Sequence, residues 1–342
     1  MAGEQQPGFA RRIESIWYDG AHYRSLLFWC LLPFSLLYWF VTAVRRTLYR
    51  FRLLPSSGPG VPVIVVGNIV AGGAGKTPVV IWLARQLAAL GYKPGIVSRG
   101  YGGERSQDQM PITGDSDPAE AGDEPVLIAR ATGFPVMVGS KRAAAAKKLA
   151  ERDDVNIIVS DDGLQHYALG RDFELVVVDA VRRNGNGFVL PAGPLRELAG
   201  RLHQADQVVV NGGSEDEPFS FQLIPGPAVH LGTGEHKPLQ DFAGQTVSAV
   251  AGIGNPARFY ELLSSAGVQP EPLAVPDHGR LPEEQLRLSG TVIMTEKDAI
   301  KYSASAGDDW WYIPVKALFS AEDEQALADR IQAGFPLEQE TG

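Results

Sequence analysis

The stretch Gly67-Asn68-Ile69-Val70-Ala71-Gly72-Gly73-Ala74-Gly75-Lys76-Thr77-Pro78 sets a lysine and a hydroxyl residue directly behind a run of glycines. Glycines let successive backbone amides turn toward phosphate oxygens, and a helix starting at Lys76 adds the positive end of its dipole. In that arrangement the backbone of Val70, Ala71, Gly72, Gly73, Ala74 and Gly75 cradles a nucleoside triphosphate. Lys76 reaches its β- and γ-phosphates, and the Thr77 hydroxyl ligates Mg2+. The strict pattern G-x-x-x-x-G-K-[ST] asks for glycine at position 70, where this chain has Val70.

A loop of this kind needs a carboxylate at the end of a neighbouring strand to hold the metal or its water. The apolar run Val155 to Ser160 ends in Asp161-Asp162, followed by Gly163-Leu164-Gln165-His166. The guanine-reading motif [NT]-K-x-D has its nearest counterpart in Thr295-Glu296-Lys297-Asp298, with the letters in the wrong spacing. The nucleotide is therefore read as ATP.

Two further strings combine titratable residues with turn formers: Gly122-Asp123-Glu124-Pro125 and Val275-Pro276-Asp277-His278-Gly279-Arg280. A phosphoryl acceptor hydroxyl needs a base within hydrogen-bond reach, and a histidine oriented by a carboxylate is a common solution. From spacing alone, a helix cap and a solvated histidine describe the two strings more readily than a catalytic pair.

Short β-branched runs must position these groups. Residues 62–67, 95–98, 135–139, 155–160, 174–179 and 207–210 read as buried strands, with helices over 77–90 and 140–152 between them. Continuous apolar strands alternating with helices predict a parallel sheet covered on both faces. A second, smaller α/β unit follows, with strands at 246–252, 291–295 and 310–315 and helices at 256–265 and 321–333. The expected organisation is a membrane-anchoring region over 1–54, a P-loop NTPase-like domain over 55–210, a linker over 211–245 and a C-terminal α/β domain over 246–342.

The chain has 342 residues and a formal charge of −9, which argues against a nucleic-acid partner, since such proteins neutralise phosphates with a basic surface. Charge is unevenly spread: residues 1–52 carry seven arginines against three acids. A single cysteine, Cys30, excludes an intrachain disulfide and a cysteine-based zinc cluster. Ser25 to Val44 are 20 residues without Asp, Glu, Lys, Arg or His, about 30 Å as a helix, which is the thickness of a bilayer's hydrocarbon core. Arg45, Arg46, Arg50 and Arg52 follow it, placing the body on the cytoplasmic side. Pro33 inside the run keeps a monotopic insertion open beside a span.

In order along the chain, the apolar segment ending in Arg45-Arg46, VGNIVAGGAGKTP, SRGYGG, GDEP, DDGLQHY, LPAGPLRE, AGIGNPARF, PDH and TEKDAIK resemble the tetraacyldisaccharide 4'-kinases of lipid A biosynthesis, over residues 13 to 330. The resemblance implies transfer of the ATP γ-phosphate to the 4'-hydroxyl of a tetraacylated glucosamine disaccharide 1-phosphate, giving lipid IVA, at the cytoplasmic face of a Gram-negative inner membrane. It implies a dyad of Asp123 and His278 with Asp123 as base, Lys76 and Thr77 on phosphate and Mg2+, and Asp161 and Asp162 on the metal and the γ-phosphate. Arg196 and Glu197 fall to the reacting centre or the lipid head group, with Arg99, Gln165 and His166 as further candidates. The competing reading is a membrane-tethered P-loop ATPase or GTPase that switches conformation without a lipid acceptor.

Overall fold

The computed structural model describes residues 8–20, 22–100, 103, 108–214, 217–273, 275 and 279–337. Its centre is a mixed nine-stranded sheet. Six neighbouring strands in it, Gln207–Asn211, Phe173–Asp179, Val63–Gly67, Ile157–Ser160, Pro94–Ser98 and Val136–Val138, run parallel. The sequence reads each of these as buried, and Val63–Gly67, Phe173–Asp179 and Ile157–Ser160 are buried at every position. Helices Lys76–Ala89 and Arg142–Ala150 supply the cover, the former through Val79, Val80, Leu83 and Leu87.

A second sheet of six strands has a parallel centre of Gln269–Leu273, Thr246–Val250, Val292–Thr295 and Trp310–Ile313. Ala228–His230 and His236–Lys237 extend it in antiparallel fashion. The expected linker thus contributes strands to both sheets, because Ser220–Pro225 pairs with Gln207–Asn211 of the first.

Sheet membership also cuts across the expected boundary at 246. The run Trp310 to Val315 reads as one strand, but Pro314 has no amide hydrogen to continue the ladder. Trp310–Ile313 stays in the second sheet, and Val315–Phe319 crosses to the edge of the first, antiparallel to Ser220–Pro225. Aromatic packing rewards the crossing. Phe319 lies 4.2 Å from the Trp82 ring and 5.0 Å from that of Phe221, and the Trp82 indole donates to Glu324 at 2.9 Å. Helix Ala321–Gly334, opened by the Ser320 cap on the Asp323 amide, therefore buries Leu327 and Ile331 in the core of the first sheet.

The apolar segment is one helix, Leu26–Arg50, unbroken through Pro33. A shorter helix, Phe9–Tyr18, precedes it.

Candidate functional site

The parallel strands deliver their carboxyl ends to one rim of the first sheet, where ligands of open α/β sheets bind. Val63–Gly67 lies between Ile157–Ser160 and Phe173–Asp179, so the glycine-rich loop after Gly67 and the pair Asp161-Asp162 emerge side by side. Gly75, immediately before the helix, has φ +88, and a Cβ there would stand 2.8 Å from Asn211 Nδ2. Val70, the departure from the strict motif, has no such demand. It forms an antiparallel bridge with Leu195, while the Ala71 amide donates to Pro194 O at 2.7 Å and the Arg196 amide to Ile69 O at 2.7 Å. The segment Pro194 to Arg196 thus clamps the loop and aims the Arg196 side chain across it.

Lys76 Nζ donates to Asn68 Oδ1 at 3.1 Å and lies 3.4 Å from Asp162 Oδ1. Arg196 Nη1 donates to both Asp162 oxygens at 3.0 Å. Burial works against the Asp162 charge, but Lys76 and Arg196 outweigh it and hold the carboxyl well below the usual range. Asp161 has the opposite fate. It is buried, and burial together with Glu124 and Asp162 pushes its pKa up to about 6. Ser98 Oγ donates to Asp161 Oδ2 at 2.9 Å, whereas Oδ1 has no hydrogen-bond partner among the described residues.

A buried carboxylate oxygen without a donor, beside a second carboxylate, is a seat for a cation. Thr77, the second residue of the helix, stands at the mouth of the same loop. Among the described residues no group of three or more His, Cys, Asp or Glu side chains converges. Mg2+ is commonly held by one or two protein oxygens together with substrate phosphates and water.

Arg196 and Glu197 are adjacent in sequence and serve different partners. Glu197 is buried; Gln165 Nε2 donates to its Oε1 at 3.0 Å and the Tyr167 hydroxyl to its Oε2 at 2.5 Å. Arg201 lies 3.7 Å away and Arg46, from the apolar helix, 3.9 Å. Gln165 also donates to Asn68 O at 3.1 Å, so it joins the base of the glycine-rich loop to this network. His166 is kept neutral: burial first, then Arg142, Arg45, Arg171 and Arg99, lowers its pKa to about 4. Arg99 follows the strand Pro94–Ser98 directly.

Asp123 is buried at the first turn of helix Asp123–Thr132, behind Gly122 at φ +87. Its neighbour Glu124 acts on the Asp161 charge, so this helix start faces the loop rim. Lys301 Nζ lies 3.7 Å from Asp123 Oδ2. His278, the other half of the expected dyad, lies outside the described residues.

No motif in the sequence marks Asn68, Arg142 or Lys301 individually as functional. Asn68 holds Lys76, and Arg142 is a buried cation donating to Ser160 Oγ at 3.4 Å. A buried arginine at a helix start looks in sequence like any solvated one. Only its depth singles it out.

Over residues 27–334 the chain matches the family profile LpxK, tetraacyldisaccharide-1-P 4'-kinase. It belongs to that family. The tetraacyldisaccharide 4'-kinase of Actinobacillus pleuropneumoniae serotype 5b is 46% identical over 313 residues, covering 90% of this chain and 96% of that protein. That of Methylobacillus flagellatus is 46% identical over 330 residues, covering 95% and 96%. The crystal structure of LpxK from Aquifex aeolicus in complex with ATP superposes with a TM-score of 0.72 at 28% identity, covering 91% of this chain and all of that one. Membership makes this chain an ATP-dependent lipid A precursor kinase, and the conformational switch without an acceptor is not favoured.

Proposed function

We propose that this chain performs the tetraacyldisaccharide 4'-kinase reaction with Lys76, Thr77, Asp161, Asp162 and Arg196 around the triphosphate and Asp123 as the base. The observation that carries the assignment is the Asp162 carboxylate lying between Lys76 and Arg196 at the mouth of the loop. Two cations converge there on one anionic group, and a γ-phosphoryl group in transfer spreads its charge over oxygens that need the same stabilisation. Mg2+ held by Asp161 and Thr77 would neutralise charge on the β- and γ-phosphate oxygens.

The residues of the chain do the rest. The loop amides and Lys76 bind the phosphates, and Arg196 orients the transferring group. The Asp123 carboxylate takes the proton of the 4'-hydroxyl as its oxygen bonds to phosphorus and ADP departs, with His278 as its partner. Glu197, with both oxygens occupied, fixes the floor of the site through Gln165 rather than meeting metal.

The substrate's acyl chains stay in a bilayer, and we infer that the apolar helix lies in one leaflet rather than crossing it. Both of its ends meet the same body. Before it, Trp17 Nε1 donates to Pro191 O at 3.0 Å and Glu14 pairs with Arg182 at 3.4 Å; near its own C-terminal end, Arg46 lies 3.9 Å from Glu197. Midway, Ser35 Oγ donates to Val189 O and accepts from the Ala192 amide, each at 2.8 Å. A span would draw the loop around Val189 to Ala192 into hydrocarbon, where lipid-exposed irregular backbone is not tolerated. The opposite side of the helix exposes Leu26, Trp29, Phe34, Leu37 and Phe40, an apolar face suited to acyl chains.

The test is transfer of label from γ-32P-ATP to purified tetraacyldisaccharide 1-phosphate in detergent, read by thin-layer chromatography. Labelled lipid that requires Mg2+ is the expected result. Hydrolysis of ATP indifferent to the lipid, with no labelled lipid, overturns the reading in favour of the switch.

A further inference from the structure

The string Thr295-Glu296-Lys297-Asp298-Ala299-Ile300-Lys301 has the wrong spacing for guanine recognition, and the phosphate loop makes no use of it. The fold places it between the two sheets. Thr295 ends the strand Val292–Thr295 of the second sheet, and the short helix Glu296–Ile300 packs on helix Asp123–Thr132 of the first. Asp298 is fully engaged on its own side: its Oδ2 accepts from the Gly252 amide at 2.8 Å and from Thr295 Oγ1 at 2.6 Å.

Lys301 uses that anchor to reach outward. Its ammonium has three N–H donors. One goes to Asp298 Oδ1 at 2.8 Å and one to Gly279 O at 2.9 Å, and Asp123 Oδ2 lies 3.7 Å away. The side chain is 8% exposed, so its charge has little water and depends on these partners. One ammonium therefore joins the second sheet, the start of the Asp123 helix, and the chain at Gly279, the residue that follows His278 in the sequence.

Holding the two helices together does not require this contact. Lys297 Nζ already pairs with Glu124 Oε1 at 3.1 Å across the same junction. What Lys301 adds is the grip on Gly279 combined with a cation beside Asp123. We propose that Lys301 is a positioning residue for phosphoryl transfer, holding the chain at Gly279 against the start of the helix that carries Asp123. The proposal rests on the kinase reading above and goes beyond it, since it gives Lys301 a role exerted through Asp123 rather than on the phosphates.

The experiment compares Lys301→Met with Lys297→Met in the labelled-lipid assay, using the full chain in detergent. Misplacing catalytic groups by about 1 Å can cost about 10²-fold in rate. Lys301→Met is expected to lower kcat by about that factor with the KM for ATP within about twofold of wild type, whereas Lys297→Met, which leaves Gly279 held, lowers kcat by less than about tenfold. Equal losses in the two variants, or a kcat for Lys301→Met near wild type, overturn the proposal. If Lys301→Met does not fold, Lys301→Arg decides. Its broad planar head cannot reproduce a point charge between the same partners, so a folded variant with kcat down about tenfold and unchanged KM for ATP supports the proposal, and wild-type kcat overturns it. Wild-type protein that labels no lipid overturns the kinase reading and this proposal with it; active wild type with unaffected variants overturns this proposal alone.

Discussion

Gly254 lies so close to Gly73 that a Cβ on Gly254 would stand 2.3 Å from the Gly73 amide nitrogen. The turn after the second sheet's strand Thr246–Val250 thereby touches the glycine-rich loop backbone to backbone, at a point where no side chain fits. Nearby, Arg258 Nη1 donates to Asp179 Oδ2 at 2.8 Å, tying the helix Pro256–Ser265 to the strand end beside the loop. The loop is shaped from two sides, by Pro194 to Arg196 on one and by the turn before Asn255 on the other.

Gly254→Ala should therefore deform the loop while leaving both cores intact. A displacement of a few tenths of an ångström to 1 Å at positioned groups predicts a fall in kcat/KM for ATP of at least about tenfold. Steady-state kinetics with ATP varied, alongside a melting curve, checks it; kinetics like wild type would mean the contact does not set the loop.

Lys76→Ala and Thr77→Ala should each lower turnover by at least ~10²-fold, the size of electrostatic terms in phosphoryl transfer. The helix starts at Lys76 whatever its side chain, so the folded domain persists. Near wild-type turnover in either variant would remove the loop from the mechanism.

Asp123→Ala and His278→Ala should each reduce kcat strongly with little change in the KM for ATP. Groups that act as a unit are non-additive, so the double variant should be little worse than the poorer single one. Multiplicative losses would show independent action and return both to a helix cap and a solvated histidine.

Glu14→Cys, made in a Cys30→Ser background, reports the side of the membrane on which the helix Phe9–Tyr18 lies. The Glu14 carboxylate pairs with Arg182 of the body, so in sealed inner-membrane vesicles this cysteine should react with an impermeant maleimide only where the body does. Reaction from the opposite side would establish a span.

His166 offers a pH test. The folded protein holds its pKa near 4 against an ordinary 6.5, so between those values the unfolded chain binds the proton and the folded one refuses it. The contribution is present above pH 6.5 and is lost as pH falls toward 4. Asp161, raised to about 6, acts in the opposite sense over much of the same window. Comparison with His166→Gln isolates the histidine: the drop in urea midpoint from pH 7 to pH 5 should be smaller in the variant, and an equal drop would mean His166 is not held neutral.

Much of this protein is local and was legible as such. Six apolar runs without polar alternation can only be strands buried on both faces, and a glycine-rich turn before Lys76-Thr77 needs nothing distant to form its amide cradle. The 20-residue uncharged segment must leave water wherever it goes. The family, too, could be read from strings whose residues are contiguous.

What the tertiary structure decided is whatever depends on meetings between distant segments. Pro314 splits one apparent strand between two sheets, and the direction taken by Val315–Phe319 is set by the Trp82 and Phe221 rings, remote in sequence. The charge states of Asp161 and Asp162 part in opposite directions although the residues are neighbours, because only one of them meets Lys76 and Arg196. Whether Ser25 to Val44 cross a membrane could not be settled by length and apolarity, which both topologies satisfy. The contacts at Trp17, Ser35 and Arg46 bear on it, since burial and pairing are properties of where a side chain arrives, and a sequence records only what it is.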